Sequence, residues 1–181
     1  MKYKEFIYFL MFMFISCNEP IPRQPIVRKT STILNQSVLF NKSLIASEEA
    51  DFNFLMKKDS LNTYIASDLG FWYKFDFKST EDYFPKFGDE IVYSTEIYNI
   101  NKKLIYSASK LGIQKYIVDK QEIVEGLREG LKLLNERDIA TFLFPSHKVF
   151  GYLGDENKIN INQPLIYKVQ LIKINKKNES N

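Results

Sequence analysis

The chain has one cysteine and one histidine among 181 residues. A single thiol closes no disulfide within the chain, so a folded domain here is stabilised by its core alone. Any His-based triad would depend on His147, and no Gly-x-Ser-x-Gly accompanies it, which leaves hydrolase chemistry without a nucleophile. Glycine is scarce, with seven residues and no Gly-rich phosphate loop. Asp155-Glu156-Asn157 is acidic but lacks the ligand spacing of a calcium loop and reads as a polar turn. No metal and no cofactor is therefore expected. Charge of one sign is also missing: 25 basic and 22 acidic residues give a net +3, too little for a nucleic-acid footprint.

The longest apolar run, Phe6 to Ile15, follows Lys2 and Lys4. It is too short to span a bilayer comfortably and has the length of a signal-peptide core. It ends in Phe14-Ile15-Ser16-Cys17, which resembles the lipobox of bacterial lipoproteins. By that resemblance residues 1–16 are a signal peptide, and Cys17 is acylated as the mature N-terminus. Stable anchoring takes two or more acyl chains. A multiply acylated Cys17 would hold the domain at a membrane of the cell envelope, facing the periplasm. Loss of Lys2, Lys4 and Glu5 with the signal would lower the charge from +3 to +2.

Residues 17–36 read as a tether, because Pro20, Pro22 and Pro25 and the polar run Lys29 to Thr32 cannot build a core. From Ser37 to Ile65, Phe40, Leu44, Phe54, Leu55, Leu61 and Ile65 recur at mixed helical spacing. A helical extension over 37–68 is expected, and Ser47, Glu48 and Glu49 suit the first turn of a helix. It would pack on the C-terminal domain or join two copies of the chain.

At Gly70 the period changes from helical to two. Phe71, Tyr73, Phe75 and Phe77 alternate with Trp72, Lys74, Asp76 and Lys78, which argues a strand with one buried face. Ile91 to Ile97, Leu104 to Tyr106, Gln114 to Val118, Ile139 to Phe144 and Leu165 to Ile174 follow as further strands. Between them, Asp119 to Leu134 places Ile123, Leu127, Leu131 and Leu134 on one helical stripe, with Asp119 as the expected cap. Gly126 and Gly130 are poor helix formers, so their presence points to close approach of another element. Strands outnumber helices, which gives an α+β domain over 69–175, an antiparallel sheet with a helix on one face. Residues 176–181 read as a disordered tail.

The order of the helix opening Glu122 to Leu131, Phe144-Pro145-Ser146, Phe150-Gly151 and the closing strand Leu165 to Ile174 resembles the FKBP-type peptidyl-prolyl cis-trans isomerases. That resemblance implies a curved antiparallel sheet wrapped on one short helix, and clients that are proline-containing polypeptides. Rotation about a prolyl bond crosses a barrier near 20 kcal/mol and needs no nucleophile, only a dry apolar cup and groups that favour the twisted amide. In the family pattern Ile123 and Val124 form the floor of that cup. Leu127 stands where many members place tryptophan. Ile159 and Tyr167 match wall positions, Ile105 replaces a wall phenylalanine, and Phe150 replaces the tyrosine of a Tyr-Gly turn. Two polar positions also depart from the pattern: Thr95 stands for a tyrosine, and Tyr106 for an aspartate. Tyr106 or Tyr93 is a candidate for the missing hydroxyl.

Tyr116 to Ile123, Thr141 to Ser146 and Gly151 to Asp155 are further similar to the gliding-motility-associated isomerase lipoproteins of the Bacteroidetes. That similarity implies folding assistance for envelope or secreted proteins in support of surface motility. The altered polar residues favour a second reading, a non-catalytic binding module or chaperone that keeps the pocket for an envelope partner.

Overall fold

The computed structural model describes residues 30–177. The chain divides into two compact units, Met1–Val38 and Leu39–Asn181. The expected signal peptide, the acylated Cys17 and the tether up to residue 29 lie outside the described residues. Within the first unit, residues 30–38 are helical. They open helix α1, Thr30–Lys58, so the helix starts inside the expected tether. Among the described residues no helix is long and apolar enough to cross a membrane.

In the second unit the elements run β1 (Ile65–Ala66), β2 (Trp72–Phe77), β3 (Glu90–Asn99), β4 (Leu104–Tyr106), α2 (Ala108–Leu111), β5 (Gln114–Ile117), α3 (Glu125–Leu131), β6 (Ile139–Phe144) and β7 (Leu165–Asn175). The sheet order is β1-β2-β6-β7-β3-β4, with β5 also paired to β3, and every pairing is antiparallel. Register shifts at Phe75/Phe77, Val92/Tyr93 and Ile97/Tyr98 act as bulges, which bend the strands that carry them. The fold is the α+β sheet with one short packed helix that the alternating strands imply.

Alternation sorts the side chains into two cores. On the inner face, Phe71, Ile91, Tyr93, Ile97, Phe142, Phe144, Tyr167, Val169 and Leu171 join Leu127 and Leu131 of α3. On the outer face Leu143 and Ile166 pack against Phe52 and Leu55 of α1, with Trp72 and Tyr98 beside them. The β2 strand therefore has two occupied faces rather than one: Tyr73 and Phe75 reach the inner core and Trp72 the outer.

The stripe of α1 also differs from the expected one. Its buried residues are Glu48, Phe52 and Leu55, at i, i+4 and i+7. Phe54 is exposed, and Leu61 is 98% exposed beyond the helix end. A carboxylate on the buried stripe hid the period: Glu48 sits mid-helix, accepting from the Ser146 amide at 2.9 Å and the Ser146 hydroxyl at 2.6 Å. The helix stops at Lys58, and Ile65 already pairs with Tyr73 in the sheet. At the other end Lys177, expected in the disordered tail, is held by its amide donating to Asp89 Oδ1 at 2.8 Å; the rest of the expected tail, residues 178–181, lies outside the described residues.

The inner helix is shorter than its periodicity. It spans seven residues, Glu125–Leu131, and its N-cap position is Val124. Asp119 has φ +56° and pairs with Lys132 Nζ at 2.8 Å, in a turn rather than a cap. Ile123 and Leu134 kept the apolar period running because both ends of the helix are also packed against the core. Gly126 and Gly130 set the distance to the sheet. A Cβ at Gly126 would lie 2.7 Å from the Phe144 ring, and one at Gly130 would lie 3.0 Å from that of Phe142. The two rings are stacked at 5.3 Å. Alanine is the better helix former by about 1 kcal/mol, yet Gly126→Ala is expected to destabilise the fold by ~1–3 kcal/mol through overpacking. A lower urea midpoint at unchanged slope checks this.

Candidate active site

The inner face of β3 supplies one wall of a cleft of about 430 Å³. Tyr93, Thr95 and Ile97 alternate with outward residues along that strand, so all three point inward. Antiparallel register adds their neighbours: Gln114 opposite Tyr93, and Tyr106 and Tyr167 on either side of Ile97. Ile123 and Val124, just before α3, and Leu127 in its first turn line the cleft as well. Phe150 and Asp155, from the loop between β6 and β7, complete it.

Tyr106, Ile123, Val124, Leu127, Phe150 and Tyr167 are thus brought together in one lining. Two expected wall residues are not in this lining. Ile159 is buried in the inner core behind the loop. Ile105 lines a separate hollow with Leu104 and Lys158 and packs against the inner core from there. The lining also contains Tyr93 and Thr95, named above for the polar positions of the pocket, and Ile97, Leu111 and Gln114, which the resemblance did not assign to the cup. Their inward register on β3 and β5 was the available signal.

Asp155 is the carboxylate that sequence reasoning read as part of a polar turn. Its Oδ1 accepts the amides of Asn157, Lys158 and Ile159 at 3.0, 2.9 and 2.7 Å. Its Oδ2 accepts the Tyr106 hydroxyl at 2.5 Å. Burial opposes its charge, but Tyr106 and the three amides outweigh that and hold the carboxyl below its ordinary range. The same hydrogen bond, ahead of burial, raises the Tyr106 phenol. Tyr106 is therefore neutral at physiological pH, with its proton committed to Asp155. The ammonium groups of Lys110 and Lys158 lie 5.4 and 5.3 Å from its ring centre.

The remaining hydroxyls sit deeper. Burial, and then the neighbouring Tyr116, pushes the Tyr93 phenol up to about 12. Burial followed by Tyr93 and Asp155 raises Tyr167 as well. Both stay protonated and can donate. The Thr95 hydroxyl and the Gln114 side-chain oxygen are buried without a hydrogen-bond partner among the described residues. Such groups cost about 1–3 kcal/mol when left unpaired. The arrangement is an apolar floor with a phenolic and hydroxyl wall. An apolar, partly desolvated cleft with hydroxyl donors is the environment that favours a twisted prolyl amide over a planar one.

The Asp155 pair makes stability acid-sensitive. Its folded carboxyl titrates below the unfolded one, so folding releases protons. The stabilisation is full above about pH 4 and fades as pH falls toward the folded value. Asp155→Asn is expected to lower stability at pH 7 by ~1–2 kcal/mol through loss of the charged acceptor. It should also flatten the loss of stability between about pH 4 and 2, measured by urea unfolding across that range.

Comparison with known proteins agrees with this geometry. The family model of the FKBP-type peptidyl-prolyl cis-trans isomerases matches residues 81–172. The crystal structure of FkpA from Escherichia coli shares the fold, with a TM-score of 0.59 and 18% identity, covering 97% of this chain and 83% of that one. No curated protein sequence matches. With half the chain inside the family model, this protein belongs to the FKBP-type peptidyl-prolyl cis-trans isomerases.

Proposed function

We propose that this isomerase works as a lipid-anchored, periplasm-facing folding helper of the cell envelope, acting on prolyl bonds in unfolded or loop segments of envelope and secreted proteins. The observation that carries the choice of client is the cleft itself. Its floor of Ile123, Val124 and Leu127 fits a proline ring, and the protonated phenols of Tyr93 and Tyr167 beside it suit the backbone carbonyls of an extended polypeptide. Neither requirement is met by a small charged metabolite. The anchor rests on Cys17 at the end of the apolar run Phe6 to Ile15. The link to surface motility rests on the similarity of Tyr116 to Ile123 and Thr141 to Ser146 to the gliding-associated lipoproteins. Pairing of two copies through α1 is supported by Leu39, Phe40 and Phe54, which stay exposed on the part of the helix within the second unit.

Cis/trans exchange in a proline peptide, followed by NMR line shape, tests the site. The protein is expected to accelerate exchange, and Val124→Asp to abolish the acceleration by placing a charge on the apolar floor while the fold persists. Unchanged turnover in the folded variant would move the site elsewhere. The anchor is tested in the host. Cys17→Ser should release the chain from the membrane fraction, and deletion of the chain should reduce surface spreading. Retention of the Cys17→Ser chain would refute acylation as the anchor.

A further inference from the structure

Phe150 lines two hollows at once. One side faces the proline cleft, and the other faces a groove of about 470 Å³ between α1 and the loop that follows β6. The groove takes Leu44 and Ile45 from α1, and Val149, Phe150 and Tyr152 from the loop, with the amides of Asn41 and Asn162 at its edges. Both of its sides belong to the second unit.

The groove is held open by specific bonds. Glu48, one turn beyond Leu44 on α1, accepts both the amide and the hydroxyl of Ser146. The Gly151 amide donates to the Ser146 carbonyl at 2.8 Å, and the Asn162 amide donates to the Gly151 carbonyl at 2.7 Å. These contacts tie the loop to the helix and to itself. The same loop leaves Tyr152, Leu153 and Ile161 at 77%, 66% and 65% exposure. Large apolar side chains grouped beside a binding cleft mark an interaction surface. Besides Ser146 and His147, the groove lining among the described residues contains no Lys, Arg, Asp or Glu, which argues against a strongly charged ligand. Asparagine amides flanking aliphatic and aromatic walls suit an uncharged polypeptide, with backbone groups for the amides and an apolar side chain for the trough.

We infer that the groove is an extended client subsite, continuous with the proline cleft over Phe150, which takes an apolar side chain of the same polypeptide a few residues from the proline. The ring of Phe150 is the partition, and extended chain at ~3.3 Å per residue crosses one side chain in about two residues. Helix α1 is then part of the substrate site, and the enzyme favours prolines flanked by apolar residues over isolated ones. This rests on the isomerase reading of the cleft and extends it.

The test compares a proline peptide of about four residues with two of about ten. One long peptide carries leucine two to four positions from the proline, on either side in turn, and the other carries serine there. Turnover by NMR exchange and peptide binding by amide shifts are measured on the full-length chain. The long leucine peptide is expected to exceed the serine peptide about tenfold in kcat/KM, the scale of one buried leucine. Leu44→Glu and Tyr152→Ser should remove that advantage and leave the short peptide unaffected. Tyr152 is exposed, so its variant folds whatever the groove does.

Equal handling of the leucine and serine peptides would overturn the inference, as would an advantage that survives both variants. Groove amides that shift with protein concentration alone would assign the groove to a second copy and overturn it too. If no peptide is turned over, the isomerase reading fails. Binding of the leucine peptide then still decides the subsite: tighter binding lost in Leu44→Glu supports it, and equal binding ends it.

Discussion

The contact between the glycine face of α3 and the stacked rings of Phe142 and Phe144 governs the architecture. No side chain fits between Gly126 and Phe144, so the helix lies as close to the sheet as its backbone allows. That closeness places Leu127 and the preceding Ile123 and Val124 in one cleft of about 430 Å³ with Tyr167 and Tyr93. A seven-residue helix has little intrinsic stability. Its persistence comes from burial of Leu127 and Leu131 against the aromatic inner face.

The outer face carries a second, smaller core, and it links the helical extension to the catalytic loop. Phe52 and Leu55 bind α1 to Leu143 and Ile166. One turn earlier, Glu48 reaches past the sheet edge to Ser146, directly after β6. The segment from Ser146 to Asp155 thus has one end fixed by α1 and the other by the carboxylate of Asp155. Phe150 lies between these fixed points, which is why it can form a stable wall on both of its sides.

The polar side of the cleft is a hydrogen-bonded pair, the Tyr106 hydroxyl on β4 donating to Asp155 of the opposite loop. The Thr95 hydroxyl and the Gln114 side-chain oxygen are buried without a partner among the described residues. The phenols of Tyr93 and Tyr167, kept neutral by burial, line the same cleft as donors.

The strands were legible in the sequence because alternation is a local property: a strand with one face in a core shows period two whatever its partners are. The floor residues Ile123, Val124 and Leu127 were named only through the family resemblance, since their helical period marks them as core and no more. The limits of α3 were not legible, because residues beyond its ends are buried for tertiary reasons and continue the helical period. The outer core was not legible either. A buried Glu48 breaks the apolar stripe of α1, and only its pairing with Ser146, 98 positions along the chain, makes that burial tolerable. Asp155 likewise gains its partner, Tyr106, from a strand 49 residues away. Residue order alone carries the alternating strands and the glycine-faced helix. Tertiary structure alone decided which polar groups meet, because hydrogen-bond partners are chosen by proximity in the fold and leave no periodic trace in the chain.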